Sequence, residues 1–379
     1  MGAAMGFAVS LLGAGTAQAA PYNVLTIGDS TVYGTSSASS SALGYQTALK
    51  TLIDGTPGYE SNFIGAYDDL NAIFSAEKPW DNGTGDYPDW PASYSYQHFG
   101  LPSGAILNTA SDETTLRENL QNVGIQDADG VSDGDGSASF DLSGQTLSQF
   151  MTSQPDLIIM QAGLNDISRE KKQYGSSPDG SPTINQLSAE YEQLLIEVAN
   201  QFPTATVMVN LIAPKFDFNP GSGNNATAWN NSNYLNQAVK DLIDSIPSRQ
   251  ETDDLSKLDG RIVTNDLFQI SVNDLIALGM PTNLVNVADN DGDDWVDWGN
   301  GYDESIVAGI DPDTTTTSGI NSDLYSDFVH PTADGYEIWA WAMYGQLLNS
   351  GTIPEPGTAS LLALGSLLIL ARRRRASAV

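Results

Sequence analysis

Three short stretches of this chain carry groups whose types and spacing suit nucleophilic and acid–base chemistry. Gly28-Asp29-Ser30 follows an apolar run at 23–27 that reads as a buried strand. A hydroxyl just past a strand end can act as a nucleophile when a base reaches it. The same Asp-Ser pair could equally cap a helix. Gly163-Leu164-Asn165-Asp166 follows a second apolar run in the same way. Asn165 is either a turn residue or an amide donor aimed at a developing oxyanion. Asp327-Phe328-Val329-His330-Pro331 precedes an amphipathic stretch near the end of the chain. An Asp and a His three apart in a turn can hydrogen-bond, which leaves the far imidazole nitrogen free as a general base. An isolated pair of this kind can also be no more than a surface histidine at a helix start.

The residue inventory narrows the chemistry. There is no cysteine, so thiol catalysis, disulfides and Cys-ligated zinc are excluded. Histidine occurs only at His98 and His330, and only His330 has a carboxylate at the right spacing.

Positioning these groups requires strands that end where the groups begin. Apolar runs at 23–27, 156–161, 205–213 and 261–268 read as buried strands. Helical spacing governs 185–202, 232–246 and 335–348. Alternating buried strands and helices predict an α/β protein with a parallel sheet between helices. Sites in such sheets form at the carboxyl ends of the strands. The stretches 77–96, 127–141 and 286–323 break the rhythm and read as loops or acidic insertions on one scaffold.

Taken in order, Ser30, Asn165 and Asp327-x-x-His330 resemble the SGNH, or GDSL, hydrolase family. The resemblance spans 24–348 and implies a three-layer α/β/α sandwich with a central parallel sheet, the flavodoxin-like SGNH hydrolase fold. It implies Ser30 as nucleophile, His330 as base and Asp327 as the group that orients it. It implies an oxyanion hole made by the Ser30 amide, a glycine amide and the Asn165 side chain. Within His98-Phe99-Gly100-Leu101-Pro102-Ser103-Gly104-Ala105 the glycine is matched best by Gly104, with Gly100 second. It implies no cofactor for catalysis. Gly44-Tyr45-Gln46, Asn62-Phe63-Ile64-Gly65 and the His98 block are similar to acetylxylan-esterase-type members, which implies acyl, specifically acetyl, esters on carbohydrate. Trp80, Trp90 and Trp229 could stack on sugar faces or simply fill the core. The alternatives are a lipase, lysophospholipase or thioesterase of the same family, or a non-catalytic surface adhesin.

Charge and the two ends address location. Forty-seven acidic residues against 15 basic ones give a formal net charge of -32, which argues against nucleic acid as a partner. Residues 1–19 read as a signal peptide, with small residues at Ala17-Gln18-Ala19. Residues 20–350 form the expected hydrolase domain. Within 354–379, Pro354-Glu355-Pro356, an apolar run and Arg372-Arg373-Arg374-Arg375 resemble a PEP-CTERM sorting signal. That resemblance implies processing by an exosortase-type enzyme. It also implies membrane contact only through this segment before processing, and a secreted or cell-surface location in a Gram-negative bacterium. Asp289, Asp291, Asp293 and Asp297 have the alternating spacing of an oxygen-rich loop, making structural calcium a candidate.

Overall fold

A computed structural model describes residues 21–33, 44–64, 99–100, 153–164, 182–213, 225–289, 292, 294–298, 321–325 and 330–353. Six parallel strands form one sheet: β1 (Tyr22–Gly28), β2 (Ser61–Ile64), β3 (Phe99–Gly100), β4 (Leu157–Gln161), β5 (Thr206–Leu211) and β6 (Ile262–Asp266). The order is β2-β1-β4-β5-β6, with β3 also on β1. β2 pairs with Tyr22 through Leu25 and β3 with Ile27 and Gly28, while β4 occupies the other side of β1. The edge strand is therefore built in two pieces, with residues 65–98 between them in the chain.

The helices are α1 (Ser30–Tyr33), α2 (Gln46–Asp54), α3 (Pro182–Gln201), α4 (Asn225–Ser245), α5 (Val272–Leu278), α6 (Thr282–Ala288) and α7 (Ala333–Asn349). Strand residues alternate between two cores, as a strand's two-residue period dictates. Leu25, Ile27, Ile158, Met160, Val207 and Val209 pack under α3 and α4. Val24, Leu157, Ile159 and Met208 pack on the opposite face, under α2, α5, α6 and α7. The result is the three-layer α/β/α sandwich expected of the sequence.

α7 lies almost wholly inside this second core. Tyr336, Ile338, Trp339, Met343 and Leu347 are all buried. Thr332 caps its N-terminus by accepting from the Gly335 amide at 3.2 Å. Among the described residues no helix is long and apolar enough to cross a membrane. The C-terminal segment 354–379 lies outside the described residues, as do 1–20.

The strand boundaries sit within a residue or so of the apolar runs at 23–27 and 156–161, and inside those at 205–213 and 261–268. α5 and α6 are not signalled by the periodicity. They are one to two turns long and depend on local caps. The Ser271 hydroxyl accepts from the Asp274 amide at 3.1 Å, and Gly279 ends α5 in the left-handed region at φ 97°.

Candidate active site

Reading the sheet from β2 to β6, the chain direction of the connections reverses between β1 and β4. A crevice opens at such a point beyond the carboxyl ends of the two strands. Gly28 is paired with Gln161 there. Ser30 begins α1 two residues past Gly28, and Gly163 and Leu164 leave β4 on the other side.

The turn carrying Ser30 is tightly packed. A Cβ on Gly28 would fall far inside contact distance of the Gln161 carbonyl oxygen and of Val32 Cγ2. Only glycine lets the chain pass from β1 into α1 against β4. The turn's cap is Asp29, which is fully buried. Its Oδ1 accepts from the Thr31 amide at 2.9 Å and the Thr31 hydroxyl at 2.7 Å, and its carbonyl accepts from the Val32 amide at 3.1 Å. Burial, and then the nearby Asp29 charge, push the Tyr45 and Tyr191 phenols well above their ordinary range.

On the β4 side the exit depends on Gly163, at φ 113°, a conformation that side chains rarely adopt. Asn165, the next residue after the buried Leu164, lies outside the described residues. So does Gly104, four positions beyond β3; the second-choice Gly100 ends β3 opposite Gly28.

His330 is half-buried and stands just before Pro331. Its loop is pinched at the base. Tyr325 and Pro331 form an antiparallel bridge, the Thr332 amide donates to the Leu324 carbonyl at 2.8 Å, and the Thr332 hydroxyl donates to the Asp323 carbonyl at 2.6 Å. A Cβ on Gly335 would run into the Leu324 carbonyl and Pro331. Asp327 falls between Tyr325 and His330 in the chain and lies outside the described residues.

The direction of α7 sets the end of the sheet at which His330 stands. Tyr344, in the second half of α7, hydrogen-bonds Thr56 at 2.8 Å. Thr56 precedes β2, beside the amino edge of the sheet. The N-terminus of α7, and His330 with it, is therefore at the carboxyl edge, where Ser30 is.

The acidic stretch shows other local roles. Asp289 Oδ1 accepts from the Gly292 amide at 2.6 Å. The Asp297 amide donates to the Ala288 carbonyl at 2.6 Å, and Asp297 is buried. Asp294, at φ 83°, accepts from the Asn273 amide at 2.7 Å at the start of α5. Asp291 and Asp293 lie outside the described residues. No group of three or more metal-binding side chains occurs among the described residues. His98, Trp80 and Trp90 lie outside them, and Trp229 is on α4.

Sequence reasoning offered Asp29 as a cap, one of the two readings of the Asp-Ser pair, but missed Gln46 as a buried donor behind the turn. It also missed Gly335 as the close approach beneath the base loop. The Asp-Ser-Thr order was the one signal available for the cap.

A parallel sheet in the flavodoxin-like order, with a serine after its first strand and a histidine ahead of its last helix, defines an SGNH-type ester hydrolase. The match to the GDSL-like lipase/acylhydrolase model runs over residues 24–343, and the chain belongs to that family. Among solved structures, a family 3 carbohydrate esterase from Clostridium thermocellum is similar at 11% identity. The likeness covers 87% of this chain and 96% of that one, with a TM-score of 0.42. A family 3 carbohydrate esterase from Talaromyces cellulolyticus is similar at 13% identity over 88% and 99% of the two chains, with a TM-score of 0.42. An acetylxylan esterase from Geobacillus stearothermophilus is similar at 12% identity over 87% and 93%, with a TM-score of 0.35. Among curated proteins no significant match is found.

Proposed function

We propose that the chain is a secreted serine esterase that removes acyl groups, specifically acetyl, from carbohydrate. The observation that carries the esterase mechanism is the arrival of Ser30 and His330 at one edge of the sheet from opposite ends of the chain. The Ser30 hydroxyl attacks the ester carbonyl carbon and passes its proton to His330, which Asp327 orients. The developing oxyanion is met by the Ser30 and Gly104 amides and the Asn165 side chain. His330 returns the proton to the leaving sugar alcohol. Water, deprotonated by His330, then attacks the acyl-enzyme, and the carboxylic acid and free Ser30 are released. The carbohydrate part of the reading rests on Gly44-Tyr45-Gln46, Asn62-Phe63-Ile64-Gly65 and the His98 block. Export by the 1–19 signal and exosortase-type processing of the 354–379 tail belong to the same proposal.

The test is a panel of p-nitrophenyl acyl esters and acetylated polysaccharides with three variants. Ser30→Ala and His330→Ala are each expected to lose ~10³-fold or more of the activity, while His98→Ala keeps most of it. Retention of a tenth of the activity by Ser30→Ala overturns the nucleophile. Preference for long acyl chains over acetyl overturns the substrate class and leaves a lipase or thioesterase.

A further inference from the structure

The helix that carries the nucleophile is a single turn, Ser30–Tyr33. A helix that short cannot hold its own position. It forms about one internal hydrogen bond for the dihedrals it fixes, and its carbonyls find no partners within it. Asp29 secures its first amides, as described above. Its carbonyl side is secured from a different element. Gln46, the first residue of α2, is 1% exposed. Its Nε2 donates to the Val32 carbonyl at 3.0 Å and to Thr26 Oγ1 at 3.2 Å. One amide nitrogen thus ties the strand before Ser30 to the turn after it, closing a bracket from Thr26 to Val32. Val32 is fully buried, with Cγ2 against the backbone of Gly28, so a shift of its carbonyl moves the whole turn. The other end of the Gln46 amide, Oε1, is buried with no hydrogen-bond partner. Burying an acceptor that way is unfavourable, so a glutamine here is accounted for by its two donated bonds.

We propose that Gln46 is a positioning residue for the nucleophile. Its side-chain amide sets where α1 sits relative to β1, and so where Ser30 meets the ester carbonyl. This rests on Ser30 being the nucleophile. A displacement of about 1 Å at a reacting group can cost on the order of 10²-fold in rate, while the binding of the remainder of the substrate is untouched.

Gln46→Met keeps the length and removes both donors. Thr26→Val is nearly isosteric and removes one acceptor. Leu49→Ala, one turn further along α2 and fully buried, opens a cavity without touching the bracket. All three are measured well below their melting temperatures, by steady-state kinetics and by the rate of fluorophosphonate labelling. Gln46→Met is expected to lower kcat ~10-fold or more with KM within about twofold, and to slow labelling by a similar factor. Thr26→Val should show a smaller loss of the same kind. Leu49→Ala should lose the most stability but keep kcat and labelling near wild type. The proposal is overturned if Gln46→Met and Thr26→Val fold and label at the wild-type rate. It is also overturned if kcat in all three variants simply follows stability. Labelling that survives Ser30→Ala marks instead the failure of the nucleophile assignment.

Discussion

The turn carrying Ser30 and the loop carrying His330 reach the same edge of the sheet but are held by different means. The first is fixed by buried side-chain hydrogen bonds: Asp29 to Thr31 on one side, Gln46 to Val32 and Thr26 on the other. The second is pinched by backbone contacts between 323–325 and 331–332, then pinned by the packing of α7. Polar brackets are directional, so their loss misplaces a group without emptying the core. Packed contacts are broad, so their loss shows first as stability. The nucleophile side should therefore be fragile in rate and the base side fragile in melting temperature.

The harshest break of this contrast is Gly28→Ala. The added methyl meets the Gln161 carbonyl and Val32 together, and β1 and β4 cannot part without losing their ladder. Overpacking of this kind costs about 1–3 kcal/mol or more. Activity is expected to fall at least ~10²-fold even in the folded fraction, as single-turnover kinetics would show. A soluble Gly28→Ala protein with wild-type kcat would remove the close-approach argument.

Gly335→Ala tests the base side and has an informative sign. Inside a helix this exchange ordinarily stabilises by about 1 kcal/mol. Here the new Cβ collides with the Leu324 carbonyl at the foot of the His330 loop. Thermal melts should show a loss of ~2 kcal/mol, with kcat below the melting temperature reduced by less than in Gly28→Ala. A higher melting temperature would show that the loop yields and that packing does not hold it.

Alkaline pH should loosen the nucleophile side. The Tyr45 and Tyr191 phenols, which flank Asp29, are raised above their ordinary value of 10.0 by burial and by that charge. Tyr22 is raised chiefly by burial. A raised folded-state value means the stabilising contribution is complete below about pH 10 and is lost as pH climbs towards that folded value. Melting temperature should fall steeply above about pH 10, with part of the phenolate absorbance of the 15 tyrosines appearing only as the protein unfolds. Complete ionisation of all 15 near pH 10 without unfolding would contradict it.

The smallest effect on rate is expected on the base side. We propose that calcium held by Asp289, Asp291, Asp293 and Asp297 braces the segment that carries Trp298. That indole stacks edge-on against Trp339 of α7 at 6.5 Å and Tyr325 at 5.7 Å. Calcium at a hundred times its dissociation constant would add ~2.7 kcal/mol, and a chelator should lower the melting temperature while kcat largely survives. Identical melts with calcium and with chelator would leave a solvated acidic loop.

The strands that position the site were legible because each is an apolar run buried on both faces. Val24, Leu25 and Ile27, or Leu157 through Met160, admit no other reading once a parallel sheet is assumed. The motifs single out Ser30 and His330, to which the proposal gives the catalytic roles. The bracket was not legible, because Gly44-Tyr45-Gln46 stands out only as part of a family resemblance and tertiary packing alone turns Gln46 inward. The same holds for Gly335, whose role depends on a carbonyl that the loop brings back over it. α5 and α6 were missed because short helices owe their existence to caps such as Ser271 rather than to a long periodic face.

The hydrogen bond between Thr56 and Tyr344 has a consequence for how the protein is made. On the proposed assignment, synthesis delivers the nucleophile at position 30 and the base only at 330. That base is not secured until α7 has threaded down the sheet to meet an element formed nearly three hundred residues earlier. The growing chain therefore carries Ser30 without His330 for most of its time on the ribosome. A nascent or truncated product ending before α7 should be hydrolytically silent, so the enzyme becomes competent in a single late step.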